Sequence, residues 1–140
     1  MKPLALAGVL ALSVPALAQS FSSAIAAASC GPTLTVTFTP VGAAGNHTIE
    51  LTCAGLDPTG IGFMWWGQTQ TNFVLPNSCP ILNDFLWGHP VNLDSTGSFT
   101  WSRSWPAWAV GYYYIQFGSI ILVGNDLALQ TTDSVIAQNQ

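Results

Sequence analysis

Thr33-Leu34-Thr35-Val36-Thr37-Phe38-Thr39 decides the fold class. Leu34, Val36 and Phe38 alternate strictly with threonines, and a period of two puts all three apolar side chains on one face of a strand. The β-branched threonines suit the opposite, solvated face of a pleated surface. A Gly-containing turn over residues 40–46 follows, and then Ile49, Leu51 and Cys53 alternate in the same way. Two such runs joined by a short turn predict an antiparallel hairpin.

The pattern repeats along the chain. Leu56-Asp57-Pro58-Thr59-Gly60 has loop chemistry, and the apolar, aromatic residues 61–66 predict a central strand covered on both faces. Residues 68–78 are polar and predict a long exposed loop. Residues 80–87 and 91–94 predict short strands broken by Gly88-His89-Pro90. Asp94-Ser95-Thr96-Gly97 has the side-chain acceptor and terminal Gly of a type I turn, and leads into residues 98–103, where Phe99 and Trp101 share a face. Trp105-Pro106-Ala107-Trp108 interrupts. Residues 111–123 predict a long strand or a bent pair hinged at Gly118-Ser119, and residues 127–132 a last strand. Seven to nine short strands without an interior helix predict a single antiparallel β-sandwich over residues 30–135, with 136–140 as a C-terminal tail.

Ahead of this domain, Lys2, the apolar run from Leu4 to Leu17 and the small-x-small Ala16-Leu17-Ala18 predict a secretory signal peptide over residues 1–18. The run is shorter than the roughly 20 apolar residues of a comfortable membrane span. Residues 19–29, rich in Ser and Ala, predict a flexible leader that could add to a neighbour's sheet as a strand. The expected location is therefore outside the cell or on its surface, with no integral membrane segment in the mature chain.

Beyond residue 18, Arg103 is the one Lys or Arg, against Glu50, Asp57, Asp84, Asp94, Asp126 and Asp133; one positive and six negative charges make a net −5 with His neutral. Such a field repels nucleic acid and acidic membrane surfaces, both of which need clustered cations. Only 6% of residues are charged, against about 25% in an ordinary soluble domain. Weak colloidal repulsion favours self-association, and sheet edges without Lys are poorly defended against edge pairing.

Three cysteines, Cys30, Cys53 and Cys79, allow one intramolecular bridge and three pairings. Cys53 continues the alternation of Ile49 and Leu51, so it reads as a buried small hydrophobe. Cys30, two residues before Pro32, and Cys79, directly before Pro80, each sit close to a proline at an element edge, which favours Cys30–Cys79 with Cys53 free. Their spacing is not that of a zinc site.

The order of cues resembles a largely uncharacterised family of exported β-sandwich domains abundant in planctomycete-like bacteria. The cues are Cys30-Gly31-Pro32, Gly55-Leu56, Gly67, Cys79-Pro80-Ile81-Leu82, Leu93-Asp94-Ser95-Thr96-Gly97-Ser98, Trp105-Pro106 and Gly111-Tyr112-Tyr113-Tyr114-Ile115-Gln116. The resemblance covers roughly residues 30–135. It implies a Cys30–Cys79 pair and brings no catalytic residues; Cys53 and the tryptophan loading depart from it.

No catalytic group or cofactor is expected. Asp57, Asp94 and Asp126 each sit in a turn, where an aspartate hydrogen-bonds its own backbone. His47 and His89 have no nucleophile context around them, and Asn83-Asp84 or Asn125-Asp126 offers calcium oxygens without a spaced carboxylate motif. The aromatics are the remaining chemistry. Sugar rings stack their C–H faces on indoles, while Trp also fills small cores. Trp65 and Trp66 are adjacent and must face opposite sides of a strand. Trp105 and Trp108 flank Pro106 in a loop. The first expectation is thus a secreted non-catalytic structural or matrix module that associates with itself or with other envelope components. The second is a polysaccharide-binding module using Trp105, Trp108 and one of Trp65 and Trp66.

Overall fold

The computed structural model describes residues 20–42 and 44–140; the expected signal peptide, 1–18, lies outside them. Eleven strands are present among the described residues: β1 (Phe21–Ala27), β2 (Leu34–Val41), β3 (Asn46–Cys53), β4 (Ile61–Gly67), β5 (Gln70–Phe73), β6 (Ile81–Asn83), β7 (Trp87–Val91), β8 (Phe99–Trp105), β9 (Gly111–Val123), β10 (Asp126–Thr131) and β11 (Ser134–Asn139). All ladders are antiparallel. Among these residues no helix is long and apolar enough to cross a membrane.

The fold is a β-sandwich. A large sheet runs β1-β11-β9-β4-β7, with β10 also paired to β9, and a smaller sheet runs β2-β3-β8. Their inner faces supply one core: Leu34, Ile49, Leu51, Cys53 and Phe99 from the small sheet meet Met64, Ile115, Phe117, Val135 and Ala137 from the large one. Phe99 and Phe117 join the layers with ring centroids 4.1 Å apart. The threonine-faced hairpin predicted at the start is β2–β3, in register from Leu34↔Cys53 to Val41↔Asn46.

Strand β9 is continuous over 13 residues, so Gly118-Ser119 is not a hinge. A Cβ at Gly118 would lie 3.0 Å from the Gln130 carbonyl and 3.2 Å from the Trp65 ring; Gly is there because chain and indole approach closely. The irregularity sits in its partner. β10 and β11 lie end to end along one edge of β9, and from Thr131↔Gly118 to Val135↔Ile115 they use four steps against three. That is a one-residue bulge at Thr132-Asp133. Thr132 repairs the ladder, its N–H donating to the Phe117 carbonyl and its hydroxyl accepting from the Phe117 N–H.

Three expectations about chain ends and breaks differ from the structure. Residues 21–27 are not a free leader: they form edge strand β1, paired with β11 from Phe21↔Asn139 to Ala27↔Ser134. Phe21 anchors it against Phe38, His47 and Trp105. Adding this segment to a neighbour's sheet would first require it to leave β11. Residues 136–139 are not a tail but the body of β11, held between β1 and β9. Gly88-His89-Pro90 does not break a strand, because β7 runs through it at a sheet edge, where proline's missing donor faces away from the ladder. These segments and β5, inside the expected exposed loop, raise the count above seven to nine.

The outer face of the large sheet carries a third, small layer, β5–β6. Gln116, fully buried, pins it: its Nε2 donates to the Pro80 and Thr132 carbonyls, and its Oε1 accepts from the Leu82 N–H. The Cys79 N–H donates to the Leu129 carbonyl on β10. Cys30 and Cys79 form the disulfide, which ties this cover to the approach to β2, and Cys53 is free and buried.

Candidate functional site

The two sheets close on one side, where β1 approaches β2 and the Ser23 hydroxyl donates to the Val36 carbonyl. On the other side, edge strand β7 of the large sheet faces edge strand β8 of the small one without pairing. They are successive strands joined through the Asp94–Gly97 turn, so Trp87, which opens β7, and Trp105, which closes β8, both lie at the end away from that turn. The turn itself is rigid. Asp94 Oδ1 accepts from the Thr96 hydroxyl and from the Thr96 and Ser98 amides. Gly97 has φ 70°, and a side chain there would run into the Leu56 carbonyl.

Between these edges lies a cleft of about 600 Å³ lined by Trp66, Trp87, Trp101, Trp105, Trp108 and Tyr113, with Ile49, Leu86, Arg103, Ser104, Pro106 and Ala109. Five of the chain's six tryptophans are in this lining. Period-two alternation along β8 supplies three of these residues: Phe99, Trp101, Arg103 and Trp105 share one face, and the last three reach the cleft, Trp105 while also packing into the core. Trp66 is the hub, with centroids 5.4 Å from Trp101, 5.9 Å from Tyr113 and 6.3 Å from Trp87. Tyr113 continues to Trp105 at 6.0 Å, and Trp87 to His89 at 4.9 Å. These are tilted and edge-to-face pairs, which leave ring faces free instead of stacking them on each other.

Polar groups in the cleft are few. Arg103 is its one charged residue, exposed, with Ile49 as its cross-strand partner and no carboxylate in the lining. The Trp105 indole N–H is spent on the Ala109 carbonyl at 2.7 Å. The Asn139 side-chain amide donates to the Ala107 and Ala109 carbonyls, and the Ala107 N–H to Asn46 Oδ1, so the Trp108 loop is fixed to both sheets. The Trp66 indole N–H and His89 Nδ1 are buried without a partner.

The four tryptophans expected to stack on sugar divide. Trp66 and Trp108 line the cleft, and Trp108 is 81% exposed. Trp105 lines it too, but at 7% exposure it is largely a core residue, because β8 continues past Arg103 and carries it inward. Trp65 is on the opposite face of β4 at 1% exposure, stacked on Phe63 at 4.8 Å, where no ligand reaches it. Trp101 and Arg103 were not among the expected site residues; the signal for them is the run Phe99, Trp101, Arg103, Trp105 at period two.

The carboxylates do structural work. Asp57 Oδ1 accepts from the Thr59 hydroxyl and amide, which hold its carboxyl below the usual range. Asp94 is lowered in the same way, first by the Thr96 hydroxyl and then by the Ser98 and Thr96 amides. Asp84 Oδ1 accepts from the Gln68 and Thr69 amides, and Asp133 Oδ1 from that of Ser29. His47 stacks on Phe21 at 3.9 Å. Burial raises the Cys53 thiol from 9.0 to about 11.

No family model, no curated protein and no solved structure matches the chain. What the fold and cleft define is a class: a disulfide-stapled antiparallel β-sandwich whose open edge presents an indole-lined cleft.

Proposed function

We propose that this protein is an exported, non-catalytic module that binds polysaccharide in the cleft between β7 and β8. The observation that carries the reading is the concentration of five tryptophans and Tyr113 around one open cleft. Core packing accounts for Trp105 but not for Trp108 at 81% exposure or Trp87 at 47%. Large exposed aromatics at one mouth cost solvation and contribute nothing to the interior, which is the mark of a binding surface. Indole faces match the C–H faces of pyranose rings, and each contact buries much area for little side-chain entropy.

The test is retention on insoluble cellulose, xylan and chitin, followed by calorimetry with soluble oligosaccharides. Trp87→Ala and Trp108→Ala should each weaken binding about tenfold or more while leaving the fold intact. Wild-type affinity in both variants, or no retention on any matrix, overturns the reading.

Self-association is the second reading, and a separate surface favours it. Ile61 pairs Ile120 and Leu127 pairs Leu122, so four apolar side chains share one face at the far end of the β9–β10 hairpin. Leu122 and Leu127 are 69% and 72% exposed there. Light scattering should show a concentration-dependent oligomer that Leu122→Glu/Leu127→Glu abolishes; a monomer in both proteins removes this reading.

A further inference from the structure

We infer that the cleft selects a largely neutral polysaccharide carrying isolated acidic sugars, with Arg103 as the residue that reads the carboxylate. This rests on the polysaccharide reading above and narrows it.

Arg103 is the one Lys or Arg beyond residue 18, and it stands in the lining of the aromatic cleft. Its strand neighbours on the same face are Trp101 and Trp105, and Glu50 projects from the other face of the small sheet, opposite Ser102. Four of the six acidic side chains are engaged by backbone amides elsewhere. The guanidinium therefore has no internal carboxylate in the cleft to serve. A planar fork of donors beside indole faces fits a carboxylate bidentately while the rest of the sugar stacks.

Charge bounds the ligand from both sides. A cationic ligand in this aromatic site would be repelled by Arg103, which removes the quaternary-ammonium use of aromatic cages. A dense polyanion would meet one positive and six negative charges beyond residue 18 and be repelled everywhere but at one point. One acidic group among neutral sugars is what a single cation among aromatic faces matches.

The experiment is calorimetry at fixed ionic strength on cellohexaose and xylohexaose, each with and without one glucuronate, and on polygalacturonate. Wild type, Arg103→Gln and Arg103→Lys are compared, with near-ultraviolet dichroism confirming that each variant keeps its aromatic packing. The glucuronate-bearing oligosaccharide should bind the wild type about tenfold tighter than its neutral counterpart, the scale of one charge-assisted hydrogen-bond pair. Arg103→Gln should bind both at the neutral affinity, and Arg103→Lys should recover part of the preference. Equal wild-type affinity for the two forms overturns the acidic selectivity and leaves polysaccharide binding standing. Tighter binding of polygalacturonate overturns the isolated-charge assignment. No binding of any probe overturns the polysaccharide reading and this inference together.

Discussion

Replacing Cys30 and Cys79 together by alanine removes the link between the approach to β2 and the cover over the large sheet. The two residues are 49 apart in sequence. Closing a loop of that size restricts the unfolded chain by about 4 kcal/mol at 25 °C in the chain-entropy model. A domain of this size has only about 5–15 kcal/mol of stability in all, so the variant keeps a folded but much weakened state. Native contacts change little, because the cover retains its bonds from Gln116 and from the Cys79 backbone to Leu129. The effect therefore falls mainly on the unfolded ensemble. Thermal unfolding followed by circular dichroism should show Tm lower by roughly 15 °C. Urea unfolding should show a steeper m-value, since the uncrosslinked chain exposes more surface. A Tm within a few degrees of wild type, with an unchanged m-value, would refute the argument that the staple acts by constraining the unfolded chain.

Trp65→Ala should cost about 3–5 kcal/mol by urea unfolding, because it empties a fully buried indole site, whereas Trp108→Ala should stay within about 0.5 kcal/mol. Cys53, buried with its thiol raised from 9.0 to about 11, should resist alkylation by iodoacetamide until the protein unfolds. Its raised value favours the native state below pH 9 and loses that contribution as pH rises towards 11, so Cys53→Ala should flatten alkaline destabilisation in that window. The lowered carboxyls of Asp57 and Asp94 work in the opposite sense: they favour the native state above the ordinary value of 3.8 and lose this as pH falls through their lower folded values. Asp57→Asn/Asp94→Asn should therefore show a shallower loss of stability below pH 3.8 than wild type, measured by urea midpoints.

The elements legible in the sequence are those whose own residues carry a period. Leu34-Thr35-Val36-Thr37-Phe38 and Ile49-Glu50-Leu51-Thr52-Cys53 state their faces locally, and the Asp94–Gly97 turn carries its hydrogen bonds within four residues. β1 and β11 do not: Ser, Ala, Gln and Asn have little strand preference, and each becomes a strand because the other, 110 residues or so along the chain, completes its ladder. β7 was obscured by Gly-His-Pro, which reads as a break unless the strand is known to be an edge. The site divides along the same line. That Trp65 and Trp66 diverge follows from pleat alone. Which of them lines the cleft depends on which face the β5–β6 layer covers, a long-range fact. Ending the β8 strand at Arg103 cut Trp105 off from the alternation and made it a loop residue. The cleft exists because β7 pairs with β4 while β8 pairs with β3 in another sheet, and no local pattern announces that.

Whether ligand binds at the open β7–β8 edge can be read, with an internal control, from the six indole N–H signals of a nitrogen-15-labelled sample. On titration with the best-bound oligosaccharide, Trp66, Trp87, Trp101 and Trp108 should shift, while Trp65, buried on the other face of β4, should not. Six unchanged signals, or a shift at Trp65 without one at Trp87 and Trp108, would contradict it.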